Sequence, residues 1–363
     1  MSSDINRRTA VKALGAGLLA GGSVPFFHVQ SYGQNQPTKV TLTLPFTLHG
    51  SYTAFIVARE LGYWKDRGVD VMVSRGYGSP DAIKKVYLGH FNYGDASFES
   101  VIQAASEGLD VVGLGLHMHV SPLAIFTLKK SGIKHPKDLE GKVLGAAPTY
   151  GDWLFFPAFA KKTGIDRSKI SVRFLEGNVR AQTLLNGGVD ALTGYYNLDA
   201  PLLWTGGGVI DIMLHYTFGL RIYGTGLLAV RTQVEKFPEV TKAVVEGVME
   251  GYKYTYLKPA EALDMHNSDM RELQGSDRTR EITKYQMLLN TALGLHPAPK
   301  KYGLGYYIPE EVAENVALAK EFLSLPKDVD PKKIYTNEHL GTVKLTPAEW
   351  QQVEQSVKPY ILW

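Results

Sequence analysis

Two α/β lobes, each built on a mainly parallel sheet, are what this sequence predicts, and three observations predict them. Between Lys39 and Ser100 an apolar run of strand length breaks repeatedly into a polar, Gly-rich turn that opens a segment with helical spacing. A second series of such units starts at Ser121 and runs to Tyr196. Beyond Arg231 the composition turns helical, with Val240, Val244, Val248 and Tyr252 on nearly one face. Alternating strands and helices imply parallel sheets, whose ligands sit where strands end and helices begin.

The first strand is predicted at Val40 to Leu44, ended by Pro45. The turn from Phe46 to Tyr52 opens AFIVARELGYW, where Phe55, Ala58 and Leu61 recur at helical spacing and Gly62 closes the helix. In the second unit VDVMV is the strand and GYGSPD the turn, with Ser79 as N-cap, Pro80 at the first helical position and Asp81 in the first turn. The third unit has a short strand, Phe91 to Tyr93, the turn Gly94 to Ser97 and the helix FESVIQAASEG; Asp110 to Leu116 make a fourth strand. The second series places strands in PLAIFTL, KVLGAA, Ile170 to Leu175 and VDALTGYY, with turns at Thr149 to Asp152 and Glu176 to Asn178. LTPAEWQQVEQSVK begins with a capping box between Thr346 and Glu349. The chain passes between the two series near His119 to Ser121 and again near Thr217 to Tyr223, the plan of a hinged clamshell.

At 363 residues, with 44% hydrophobic content, the chain can bury sizeable cores. Lys and Arg total 39 against 36 Asp and Glu; without Arg7, Arg8, Lys12 and Asp4 of the first 37 residues, 36 stand against 35. No strong basic field remains, so nucleic acid is not the expected partner. NRRTAVK followed by the weakly apolar ALGAGLLAGGSV resembles a twin-arginine export signal, although Ala10 stands where Phe is common. That stretch is too short and Gly-rich for a membrane span, which takes about 20 residues. Residues 1–37 are therefore read as export signal and linker, and the periplasm as the destination. Cysteine is absent, which excludes disulfides, thiolate metal sites and cysteine nucleophiles. No Ser-His-Asp order, phosphate loop, HExxH helix or cofactor motif stands out, so no cofactor and no catalysis are expected.

GSYTAFIVARELGYWKDRGVDV, VYLGHFNYGDAS, HPKDLEGKVLGA, LLNGGVDALTGYY and FPEVTKAVVEGVMEGYKYTYLKPAEA resemble the periplasmic solute-binding proteins of the nitrate, sulfonate, taurine and thiamine-pyrimidine group of ABC importers. APTYGDWLFFPAFAKKTGID resembles a subset linked to pyrimidine or riboflavin-type uptake. The resemblance covers roughly residues 40 to 345. It implies a type II periplasmic-binding-protein clamshell, with residues 38–120 and 224–363 in lobe one, 121–223 in lobe two and a two-strand hinge. It also implies a monomer that holds one small molecule between its lobes and delivers it to an inner-membrane permease. A sensor subunit would share the fold. Pyrimidine synthases of similar fold use a Cys-rich motif that this chain lacks.

The candidate site follows from the turns. Lobe one offers His49, Gly50, Ser51, Tyr52, Tyr77, Gly78, Ser79, Asp95, Ser97 and Phe98; lobe two offers Thr149, Tyr150, Asp152, Trp153, Glu176, Tyr195, Tyr196 and Asn197. Flat rings bury flat ligands, and Tyr or Trp adds a polar handle; the same rings equally cover lobe cores. Asp81, Asp95, Asp152, Glu176 and Asp199 outnumber Arg75, Arg180 and Arg221 in these turns. Acidic side chains oppose an anion and favour a ligand with N–H donors, such as an aminopyrimidine, although an Asp at a helix start also serves as a cap. Sulfonate, taurine or nitrate is the alternative ligand class. His117 and His119, two apart on a strand, could hold a metal, but the sequence puts no carboxylate or third His beside them, and none is expected.

Overall fold

The computed structural model describes residues 37–148, 150–177, 179–270 and 276–363. The twin-arginine segment and Thr149 lie outside the described residues. Two five-stranded sheets carry the fold. The first contains β1 (Thr38–Thr43), β2 (Val69–Ser74), β3 (Tyr93–Ser97), β4 (Val111–Leu116) and β10 (Thr225–Val230), in the order β2-β1-β3-β10-β4. The second contains β5 (Leu123–Leu128), β6 (Val143–Ala146), β7 (Ser171–Phe174), β8 (Ala191–Tyr195) and β9 (Ile210–Leu214), in the order β7-β6-β8-β5-β9.

Both sheets are mixed rather than mainly parallel. β1 runs parallel to β2 and β3, and β6 to β7 and β8, as strand–helix–strand units require. The strands adjoining the lobe crossings differ: β10 lies antiparallel between β3 and β4, and β5 antiparallel between β8 and β9. A strand entering a sheet from the other lobe needs no right-handed helical crossover, so it can insert in the opposite sense. The crossing segments pair with each other: Ser121 N–H donates to Ile222 O at 3.0 Å and Gly224 N–H to Met118 O at 3.0 Å.

Strands buried on both faces explain the continuous apolar runs VVGLGL and LAIFTL, every residue of which is buried. Lobe one packs Phe55, Trp64, Val244 and Val248 on one face of its sheet and Ile83, Phe98, Val101 and Tyr307 on the other. Lobe two does the same with Leu144, Phe156 and Phe159 on one side and Phe126, Leu192 and Leu203 on the other. Helices α1 (Thr53–Glu60), α2 (Ser79–Tyr87), α3 (Phe98–Ser106), α4 (Gly151–Leu154), α5 (Phe156–Thr163), α6 (Arg180–Leu185) and α7 (Tyr196–Thr205) follow the strands, and α8 (Arg231–Lys236), α9 (Pro238–Leu257) and α10 (Pro259–Asp269) follow β10. Of the later helices α11 (Asp277–Gly294), α12 (Pro297–Tyr302), α13 (Pro309–Phe322) and α14 (Pro347–Val357), two pack on both lobes. On α11, Met287 joins Val57 of lobe one while Leu289 and Leu293 join Leu203 of lobe two; on α13, Val312 and Val316 face lobe one while Leu318 and Phe322 face lobe two. The capping box at Thr346 and Glu349 forms as the sequence predicts. Among the described residues no helix is long and apolar enough to cross a membrane.

Two local expectations need correction. The third strand starts later than predicted, at Tyr93, so Asp95 lies inside a strand and not in a turn. The Gly94-Asp95 pair reads as a turn, yet Asp95 is fully buried because His117 Nε2 stands 2.8 Å from its Oδ2. At α2, Ser79 is the first helical residue rather than the cap. Gly78, at φ 111°, holds the cap position, and the Asp81 carboxylate reaches back to accept from Tyr77 N–H at 3.1 Å.

Candidate ligand-binding cleft

Lobe one's jaw is built on the short turn before α1. The His49 ring accepts from Ser51 N–H at 3.2 Å, and Gly50 N–H donates to Gln286 Oε1 at 3.1 Å. Gly50 is required there, since a Cβ would collide with the Thr283 carbonyl of α11. Burial, with His266 nearby, pushes His49 down to about 3, so it is neutral at physiological pH and offers no positive charge to an anion. Ser79 Oγ accepts from Ser97 N–H at 3.0 Å, tying the second turn to the third, and Ser97 Oγ lies 2.9 Å from Ser100 Oγ.

Lobe two's jaw holds a buried ionic triad. Arg180 Nη1 donates to Asp152 Oδ2 at 2.9 Å and Arg180 Nη2 to Asp199 Oδ2 at 3.2 Å, while Thr193 Oγ1 donates to Asp152 at 2.7 Å. All three charged side chains are at most 4% exposed. Burial raises both carboxyls against the pull of Arg180, Asp199 to about 6. Asp152 Oδ1 and Arg180 Nε have no hydrogen-bond partner. The Tyr150 ring lies 5.1 Å from the guanidinium carbon, a cation–π lid over the triad.

The jaws meet at two places. Asn197, 3% exposed at the start of α7, donates from Nδ2 to Ser51 Oγ at 3.0 Å, and Ser51 Oγ in turn donates to the Gln286 carbonyl at 3.4 Å. At the second, Gly151 N–H donates to Tyr195 Oη at 3.0 Å, and the bare face of Gly151 turns toward Glu99 of α3. A Cβ there would sit 3.3 Å from both Glu99 Oε1 and Tyr195 Oη, so the three groups converge.

The remaining expected site residues fall elsewhere. Tyr52, Phe98 and Tyr196 are at most 4% exposed and belong to the lobe cores; Tyr196 donates to Tyr360 O at 3.0 Å. Trp153 stacks on Phe156 at 5.5 Å and joins the lobe-two core. Asp95 is sealed with His117, whose ring stacks on Tyr252 at 4.9 Å. Tyr77, 72% exposed with Arg75 at 4.6 Å over its ring, and Glu176 are surface groups. The fold brings to the His117–His119 pair groups that the sequence did not place there: Asp95 meets His117 and His296 stacks on His119 at 5.5 Å. Among the described residues these do not form a group of three or more that could hold a metal ion. Glu99 was missed, although an acid one position after the Phe98 turn was the signal that could have found it.

The family model of NMT1/THI5-like proteins matches residues 50–262. The chain belongs to the NMT1/THI5-like family. That match takes in both jaws, from Gly50 through Asn197. A curated relative of this NMT1/THI5-like chain is the 4-amino-5-hydroxymethyl-2-methylpyrimidine phosphate synthase of Legionella pneumophila, 23% identical over 63% of this chain and 72% of its own length. Among solved structures, the periplasmic aliphatic sulphonate binding protein SsuA of Escherichia coli matches with a TM-score of 0.64 at 16% identity, over 84% of this chain and 99% of its own. A protein of Bordetella bronchiseptica RB50 matches with a TM-score of 0.62 at 21% identity, over 88% of this chain and 98% of its own. At such identities the likeness establishes the fold: the NMT1/THI5-like chain is a periplasmic-binding-protein clamshell.

Proposed function

We propose that this protein is the extracytoplasmic solute receptor of an ABC importer. It takes one small, flat molecule rich in N–H donors, of aminopyrimidine type, between its lobes and hands it to an inner-membrane permease. The fold shared with sulphonate-binding receptors supports the receptor role, and the NRRTAVK segment supports export to the periplasm. Ligand class rests on one observation above all: the buried arginine of the cleft, Arg180, is held by two carboxylates. A guanidinium so engaged has no free fork for a sulfonate or nitrate, and the triad keeps a formal excess of negative charge. The Legionella relative, named for a pyrimidine product, points the same way. Its name also raises the enzyme reading, against which stands a chain without any cysteine for thiolate chemistry.

Thermal-shift screening of the purified protein against aminopyrimidines, flavins, sulfonates and nitrate tests the reading. Ligand at about 100 times its Kd stabilises by roughly 2.7 kcal/mol. Stabilisation by an aminopyrimidine at one-to-one stoichiometry is expected. A shift with sulfonates or nitrate alone would overturn the ligand class and leave the receptor role standing.

A further inference from the structure

We infer that Glu99 reads the ligand: its carboxyl pairs with the edge of an aminated ring where a ring nitrogen stands beside an exocyclic amine. The inference rests on the aminopyrimidine reading above. Its geometry comes from the second meeting point of the jaws. Glu99 stands on lobe one, in the first turn of α3, and Oε1 reaches the same point beside Gly151 as the Tyr195 hydroxyl of lobe two. None of the salt bridges among the described residues involves Glu99, so no cation fixes its charge.

The surroundings favour a proton on it. Burial raises Glu99 to about 7, partly opposed by a hydrogen bond from Ser97. From lobe two it faces Tyr195, with Asp152 and Arg180 behind. Of the charged residues on neighbouring helices, Asp81 and Lys85 of α2 engage each other at 2.7 Å, and Glu311 of α13 faces His296 at 3.6 Å. Tyr195, pushed well above its ordinary value by burial and then by Asp152 and Glu99, keeps its proton; because Oη already accepts from Gly151 N–H, that proton is free to donate outward.

A protonated carboxyl offers one donor and one acceptor side by side. An aminopyrimidine edge offers the complementary acceptor and donor, so the two close a pair of parallel hydrogen bonds with no ion formed. A sulfonate or nitrate, having acceptors only, satisfies the O–H and repels the C=O. A glutamine amide carries the same donor–acceptor pair, as it does toward adenine, and so should replace Glu99 at this task.

Calorimetric titration with 4-amino-5-hydroxymethyl-2-methylpyrimidine decides it, using wild type, Glu99→Gln and Glu99→Ala, each checked for an intact melt. The Ala variant should bind at least tenfold more weakly and the Gln variant within threefold of wild type. Wild-type affinity should fall as pH rises from 7 to 8.5, as the donor is lost, and the Gln variant should lack that fall. Wild-type affinity retained in the Ala variant, or equal losses in Ala and Gln, overturns the role of Glu99 while the aminopyrimidine reading survives. No binding by wild type overturns both.

Discussion

The two jaws use the same strand, turn and helix grammar but bury their charges differently. Beneath lobe one's turns, Asp95 and His117 form a simple pair, enclosed by Phe55, Tyr52 and Tyr252 rings. Beneath lobe two's, two carboxylates share one guanidinium, and an acceptor and a donor atom are left over. Asp95 Oδ1 and His117 Nδ1 are likewise without hydrogen-bond partners, so unused hydrogen-bonding capacity is common to both jaws; what sets the triad apart is two carboxyls against one guanidinium, where lobe one pairs one carboxyl with one imidazole. Lobe one is therefore a packed platform with Glu99 and Ser51 at its edge, and lobe two carries the unbalanced buried charge.

The sharpest way to break this contrast is Arg180→Met. It leaves Asp152 and Asp199 buried without a cation, a loss of about 3–5 kcal/mol. The sign of its pH dependence follows from the two carboxyls, which burial already raises, Asp199 to about 6. A raised acid takes up its proton more readily when folded, so stability falls as pH rises through its unfolded value toward its folded one. Without Arg180 both rise further, and the loss should be largest at pH 8 and shrink toward pH 5. Denaturant melts at the two pH values measure it; an equal loss at both would show that packing, not charge, is what Arg180 supplies.

Asp95→Asn asks the same of lobe one and should answer more mildly, at about 1–2 kcal/mol, because the amide still presents an oxygen to His117 Nε2. A loss as large as that of Arg180→Met would erase the difference between the jaws.

These two sites also show what the sequence could and could not disclose. Strand and helix alternation was legible from Lys39 onward because runs such as VVGLGL and LAIFTL have no polar face to confuse. The sense of β5 and β10 was not, since both insert from across a lobe boundary and no local pattern records which neighbour they meet. Asp152 and Tyr195 read correctly as lying at one strand-to-helix level, and they do converge, through Thr193, Gly151 and Arg180. Asp95 misread as a turn residue because its partner is 22 positions away. Phe98, Tyr52 and Tyr196 misled for a different reason: an aromatic at a strand end can turn to either side of the chain, and these turn inward. Glu99 was hidden by its own ordinariness, an acid in a first helical turn, where capping and dipole effects already account for it.

The smallest effect concerns the tie between the jaws. Asn197 Nδ2 donates to Ser51 Oγ across the boundary, while Asn197 Oδ1 has no partner to lose. Asn197→Ala should therefore cost only about 1 kcal/mol of stability. Ser51 stays anchored by Gln286 of α11, so the lobe-one turn should keep its shape. What should change is the balance between apposed and separated lobes: with α11 and α13 packed on both lobes, loss of one hydrogen bond biases a small hinge motion rather than releasing it. Spin labels placed on the exposed positions Lys65 of lobe one and Lys162 of lobe two would report a broader distance distribution in the variant. A distribution as narrow as wild type would assign the apposition of the jaws to the two shared helices alone, leaving Asn197 free to face the ligand.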